Sequence, residues 1–141
     1  ITHTHNYALS LVGQKNQYDS IGIDTEQIIQ KSSENLKKHI FFKEQDQSFQ
    51  KYVSLNDEQF LTFVFSAKES LYKALYPSVK KYFGFQDAAL YSLCAKNKTF
   101  TLEIKSYLSN IFKQKTKISG KYKIDNNTIS TQIVIQKKVR K

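Results

Sequence analysis

The sequence predicts an α+β fold, an antiparallel sheet packed against helices, and three observations carry that expectation. Phe60, Val64, Ala67, Leu71 and Ala74 recur at three- and four-residue spacing between Asn56 and Pro77, which is the signature of one buried helical stripe. Near the C-terminus Ile118, Tyr122 and Ile124 are interleaved with polar residues, as are Ile129, Ile133 and Ile135, so both segments read as half-buried strands. No Gly-rich phosphate loop of either common kind is present to suggest a nucleotide-binding parallel sheet.

Taken in order, residues 7–12 and 18–26 read as strands, with Gly13, Gln14, Lys15 and Asn16 as turn material between them. Ser32 or Ser33 can cap a short helix running to His39, after which Ile40, Phe41 and Phe42 lead into the polar run Lys43-Glu44-Gln45-Asp46. The long helix follows over residues 56–77. Its second stripe, Thr62, Ser66, Glu69 and Lys73, is not required for burying the apolar face and is available for chemistry. Beyond Gly84 the pattern shortens to strands at 88–94 and 99–104, a lysine-rich connection at 106–117, and a final hairpin turning at Asp125-Asn126-Asn127.

With 141 residues and no dominant linker or repeat, the chain is read as one domain over residues 1–137 with a basic tail at 138–141. Twenty-two Lys and Arg against 12 Asp and Glu give a net charge of +10, and Arg140 is the only arginine. That charge suits nucleic acid, an anionic membrane, an acidic protein or a phosphate-rich ligand, but the lack of Trp and of arginine–aromatic clusters weakens the nucleic-acid reading. No apolar run is long enough to span a membrane, and Cys94, the only cysteine, reads as a reduced core thiol, so a cytoplasmic protein is expected.

The chemistry concentrates in two segments. In Gly22-Ile23-Asp24-Thr25-Glu26 two carboxylates stand two apart on a strand and share one face, and in Lys68-Glu69-Ser70-Leu71-Tyr72-Lys73 a Glu and a Lys stand four apart on a helix. Asp24, Glu26 and Glu69 are hard oxygen donors suited to Mg²⁺ and, through it, to phosphate. Spacing alone also permits a solvated strand-end pair and a Glu69–Lys73 helix salt bridge.

Together with Ile1-Thr2-His3-Thr4, these segments resemble the 4'-phosphopantetheinyl transferases, and more narrowly the monomeric class, similar to enterobactin synthetase component D, that activates siderophore and other nonribosomal peptide synthetases. The resemblance implies one half of a pseudo-twofold, two-domain enzyme, with this chain as the C-terminal half and an absent N-terminal half completing the coenzyme A cleft; a trimer of identical subunits is the alternative. It implies transfer of phosphopantetheine from coenzyme A to a serine of an apo acyl or peptidyl carrier protein, releasing adenosine 3',5'-bisphosphate. On this reading Asp24, Glu26 and Glu69 bind Mg²⁺ or Mn²⁺, Glu69 and Lys73 are catalytic, and His3, Lys68 and Lys73 hold the phosphates of coenzyme A. No nucleic acid partner and no membrane span are expected. Glu44 is given a structural role beside the cleft, while Phe41, Phe42, Phe83, Phe85 and Tyr72 are read as packing residues.

Overall fold

The computed structural model describes residues 1–4 and 8–137. Two short N-terminal strands, β1 (Thr2–His3) and β2 (Ala8–Leu9), pair antiparallel with Thr2 opposite Leu9. The strand expected over 7–12 therefore contracts to Ala8–Leu9; Tyr7 lies outside the described residues, as does the basic tail at 138–141. Leu11 is only half-buried and Val12 is 87% exposed, so the far end of the longer strand has little surface to bury against. Strand β3 (Tyr18–Gln27) follows and carries the acidic segment.

Helix α1 (Glu34–Ile40) starts where Ser33 accepts the backbone N–H of Leu36 at 3.1 Å, and its last turn carries Lys37, Lys38 and His39, favourable to the helix dipole. A second short helix, α2 (Lys43–Gln47), occupies the polar run for which the sequence suggested no structure. Helix α3 (Asp57–Val79) opens on a capping box, in which Asn56 accepts from Gln59 N at 2.8 Å and Gln59 accepts from Asn56 N at 3.0 Å. Pro77 sits inside the last turn, where it removes only one helical hydrogen bond, and the helix stops at Lys80 in the left-handed conformation (φ 55°).

Strands β4 (Ala88–Cys94), β5 (Thr99–Ile104), β6 (Lys117–Ile124) and β7 (Thr128–Gln136) join β3 in a five-stranded antiparallel sheet ordered β3-β7-β6-β5-β4. The final hairpin carries the chain back beside β3, which becomes an edge strand of this sheet. Phe100, Leu102, Ile104, Ile118, Tyr122, Ile129 and Ile133 alternate onto one face and bury against Phe60, Phe63, Val64, Ala67 and Leu71 of α3. Cys94 is free but only partly buried at the end of β4, so it is not the core thiol expected.

The helix is buried more widely than one apolar stripe requires. Thr62 and Ser66 are fully buried, and their hydroxyls join α3 to the rest of the fold: Thr62 accepts from Ile29 N at 2.9 Å, and Ser66 meets the Thr131 hydroxyl of β7 at 2.9 Å. The upper half of the second stripe is structural, because a buried hydroxyl must find a partner and these find theirs across layers. Only Glu69 and Lys73 remain from that stripe for chemistry.

Candidate active site

The site begins with a close approach of backbone to backbone. A Cβ on Gly22 would lie 2.1 Å from the carbonyl of Ser70 and 2.7 Å from the amide of Ala74, so only glycine lets β3 press against α3 at this crossing. Strand alternation then turns Gly22, Asp24 and Glu26 toward the helix, with Gly22 against Ser70 and Ala74, the neighbours of Glu69 and Lys73. The crossing brings the Lys73 ammonium within 3.1 Å of the Ile23 carbonyl and 3.0 Å of Asp24 Oδ1. Lys73 thus pairs across the layers with Asp24 instead of along its own helix with Glu69. Asp24 is held from behind as well, since the Ser66 hydroxyl donates toward its backbone carbonyl at 3.4 Å.

Asp24 is 2% exposed, yet its Oδ2 has no hydrogen-bond partner. Burial, the charge of Asp24 and a side-chain hydrogen bond with it, and the charge of Glu69, push the Glu26 carboxyl up to about 8 against the opposing pull of Lys73. That hydrogen bond exists only while Glu26 keeps its proton, since two ionised carboxylates have no hydrogen to share. Burial and then Asp24 raise Glu69 in the same direction, again opposed by Lys73. The three acids named from the sequence are therefore in electrostatic contact, with one ammonium among them.

This excess of negative charge fits a divalent cation, and the orphaned Asp24 oxygen is a ready hard donor for it. Among the described residues no three His, Cys, Asp or Glu side chains already stand as a ligand set for a metal ion. The fit lies in the chemistry of the donors and the unbalanced charge.

The remaining site residues separate. His3 is exposed on β1, which lies along β3 through the Thr2 hydroxyl accepting the Thr25 amide at 3.0 Å. Lys68 points elsewhere: its ammonium donates to Asp46 Oδ2 at 2.6 Å and to the carbonyls of Ile40 and Phe85 at 2.8 Å each, and its side chain is 3% exposed. An ammonium has three N–H groups, and all three of these are engaged inside the protein, so in this arrangement Lys68 has none left for a coenzyme A phosphate. Burial pulls its pKa down while Asp46 opposes that pull.

Asp46 is the residue that sequence reasoning missed. The structural role given to Glu44 belongs to it, because Glu44 is exposed and Asp46 is fully buried. Phe41 and Phe83 do pack in the core. Tyr72, expected to point away from the Glu69 stripe, instead shares a cavity of about 150 Å³ with Glu69, Lys68, Tyr82, Phe83, Gly84 and Phe85. Glu69 thereby stands between the acid cluster and an aromatic-walled recess. Positions three apart on a helix share a face, which is the signal that would have placed Tyr72 beside Glu69.

The family model for the 4'-phosphopantetheinyl transferase superfamily (ACPS) matches residues 20–130, a span that contains the acid cluster, both lysine–aspartate pairs and the cavity. No curated protein matches the chain. No helix among the described residues is long and apolar enough to cross a membrane.

Proposed function

The chain belongs to the 4'-phosphopantetheinyl transferase superfamily, and from that membership we propose that it moves phosphopantetheine from coenzyme A to a serine of an apo acyl or peptidyl carrier protein in the cytoplasm. The observation that carries this reading is the convergence of Asp24, Glu26, Glu69 and Lys73 at the β3–α3 crossing. In the reaction the serine oxygen bonds to the phosphorus that bears pantetheine, the bond from that phosphorus to adenosine 3',5'-bisphosphate breaks, and the serine proton passes to a base.

Asp24, Glu26 and Glu69 would hold Mg²⁺ or Mn²⁺, which when bound supplies positive charge to phosphate oxygens. The protein's own groups do the rest. Glu69, raised in pKa and bordering the cavity, would take the serine proton. Lys73 spends two of its donors on Ile23 and Asp24, and its side chain is 34% exposed, which leaves an N–H for a phosphate oxygen as charge develops there. His3, exposed on the strand beside β3, is offered as a contact for the nucleotide phosphates.

The motif order supports the two-half class similar to enterobactin synthetase component D, with an N-terminal half of the same enzyme completing the cleft and a siderophore or other nonribosomal peptide carrier as acceptor. Radiolabelled or fluorescent coenzyme A, the full protein and a panel of apo carrier proteins test the reading. Label is expected on the carrier serine only with a divalent cation present. No transfer to any carrier by folded protein with Mg²⁺ or Mn²⁺ would sink it.

A further inference from the structure

Lys68 and Asp46 lie outside the acid cluster, and nothing in the proposed reaction uses them. Asp46 is fully buried on α2 and each of its oxygens is occupied: Oδ2 accepts from Phe42 N and from Lys68, both at 2.6 Å, and Oδ1 accepts from Leu90 N at 2.7 Å. Lys68 adds the carbonyls of Ile40 and Phe85. One ion pair thus ties the end of α1, the start of α2, strand β4 and the turn before it to α3, at the residue next to Glu69.

The link to Phe85 reaches into the site. Phe83, Gly84 and Phe85 form the wall of the cavity that faces Glu69 and Tyr72. A hydrogen bond from the helix position next to Glu69 to the carbonyl at the end of that wall fixes the wall relative to the carboxylate. We propose that Lys68 and Asp46 are a positioning pair that sets the shape of the Glu69 cavity, and that Lys68 is not a ligand for the phosphates of coenzyme A. This rests on the transferase reading.

The contrast with Lys73 supplies the physical reason. To reach a phosphate, Lys68 would have to abandon three acceptors and leave the Asp46 charge buried without a counter-charge, which is far costlier than turning a partly exposed ammonium through a small angle. Misplacing a cavity wall affects how the reacting group is held, and so the turnover of bound substrate, while leaving the grip on nucleotide phosphates intact.

Two measurements on the full protein test the pair. In protein carrying ¹⁵N-lysine, with the two lysine ammonium signals assigned from Lys68→Met and Lys73→Ala, the Lys68 signal is expected to exchange slowly with water. Adenosine 3',5'-bisphosphate, which carries phosphates but no pantetheine arm, is expected to shift Lys73 and leave Lys68 in place. A Lys68 shift as large as that of Lys73 overturns the inference.

In a cycle of Asp46→Asn, Lys68→Met and the double variant, each single change is expected to lower kcat about 10-fold or more with KM for coenzyme A within about twofold of wild type, and the double to be no worse than the poorer single. A raised KM in Lys68→Met alone, or lost stability with kcat of the folded protein unchanged, overturns it. If the variants fail to fold, the wild-type spectra decide. Wild-type protein that transfers nothing to any carrier removes the transferase reading and this inference with it, whereas a Lys68 shift removes this inference alone.

Discussion

Helix α3 carries two lysines five residues apart, each paired with an aspartate, and the two pairs have opposite characters. Lys68 and Asp46 are 3% and 0% exposed in their side chains, and every polar atom of the pair has a partner. Lys73 and Asp24 are 34% and 3% exposed, and the aspartate keeps one oxygen orphaned beside two further carboxylates. A saturated buried pair holds a fold together because any departure strands a charge. An unsaturated pair with a partly exposed ammonium can change partners at less cost, as the proposed transfer site would require. The difference between the regions is one of hydrogen-bond completeness, since both contain the same two kinds of residue.

The largest effect should come from the unsaturated pair, in rate. Lys73→Ala removes the ammonium proposed to meet developing phosphate charge, and Glu69→Gln removes the proposed base while keeping the shape. Each is expected to lower kcat/KM by roughly 10²- to 10⁴-fold in the carrier-labelling assay, with the circular dichroism spectrum of wild type. Near-wild-type rates in either variant would erase the distinction between the pairs.

Next comes stability, where the order reverses. Asp46→Ala leaves a buried ammonium uncompensated and strips acceptors from Phe42 N and Leu90 N, an expected loss of about 3–5 kcal/mol. Asp24→Ala leaves an ammonium that already reaches solvent and relieves the repulsion on Glu26, so its cost is expected to stay within about 1 kcal/mol. Urea unfolding of both variants measures this. Equal losses would show that the Lys73 pair is structural too.

A smaller effect separates the pairs by pH. In the fold Glu26 holds its proton up to about 8, against 4.5 for the ordinary carboxyl, because burial first and then its neighbours Asp24 and Glu69 favour the protonated form while Lys73 opposes it. The folded state of cation-free protein therefore binds the proton more tightly than the unfolded state does. This contribution is complete below pH 4.5 and lost as pH rises through about 8. The melting temperature of EDTA-treated protein is expected to fall across that window. Saturating Mg²⁺ should flatten the fall, because a dication replaces the proton and grows more competitive as pH rises. A melting temperature that declines equally with and without Mg²⁺ would count against a cation among these acids.

Local signals made much of this legible in the sequence, and tertiary ones did not. Strands β4 and β5 fall on the expected bounds 88–94 and 99–104, although only β5 alternates in burial and β4 carries an irregularity between Leu90 and Ser92, and Asn56 with Gln59 fixes the start of α3, because these signals are complete within a few residues. Asp24, Glu26, Glu69 and Lys73 were identified from spacing and resemblance, and the fold brings them into one electrostatic cluster. Asp46 was invisible because an aspartate in Lys43-Glu44-Gln45-Asp46 looks solvated until its partner, 22 residues away, is known. Lys68 did leave a trace: it lies in line with Leu61, Val64, Leu71 and Leu75, all buried, and a lysine on that line must have a buried counter-charge. Gly22 gave none, since nothing local requires the missing Cβ.

The smallest effect tests whether the two kinds of pairing are independent. Ser66 precedes both lysines on α3, donating toward the Asp24 carbonyl at 3.4 Å and meeting Thr131 at 2.9 Å. Ser66→Ala removes one hydroxyl, but Thr131 still donates to the Ser66 carbonyl at 2.8 Å, so no donor is stranded. The expected cost is about 0.5–1.5 kcal/mol, with the transfer rate unchanged, because the Asp24 carboxylate is held by Lys73 and its backbone by the register with Thr131 of β7. A rate loss out of proportion to the stability loss would mean that Asp24 is placed by the buried network after all. The acid site would then be an extension of the scaffold, and completeness of hydrogen bonding would no longer divide structure from chemistry along this helix.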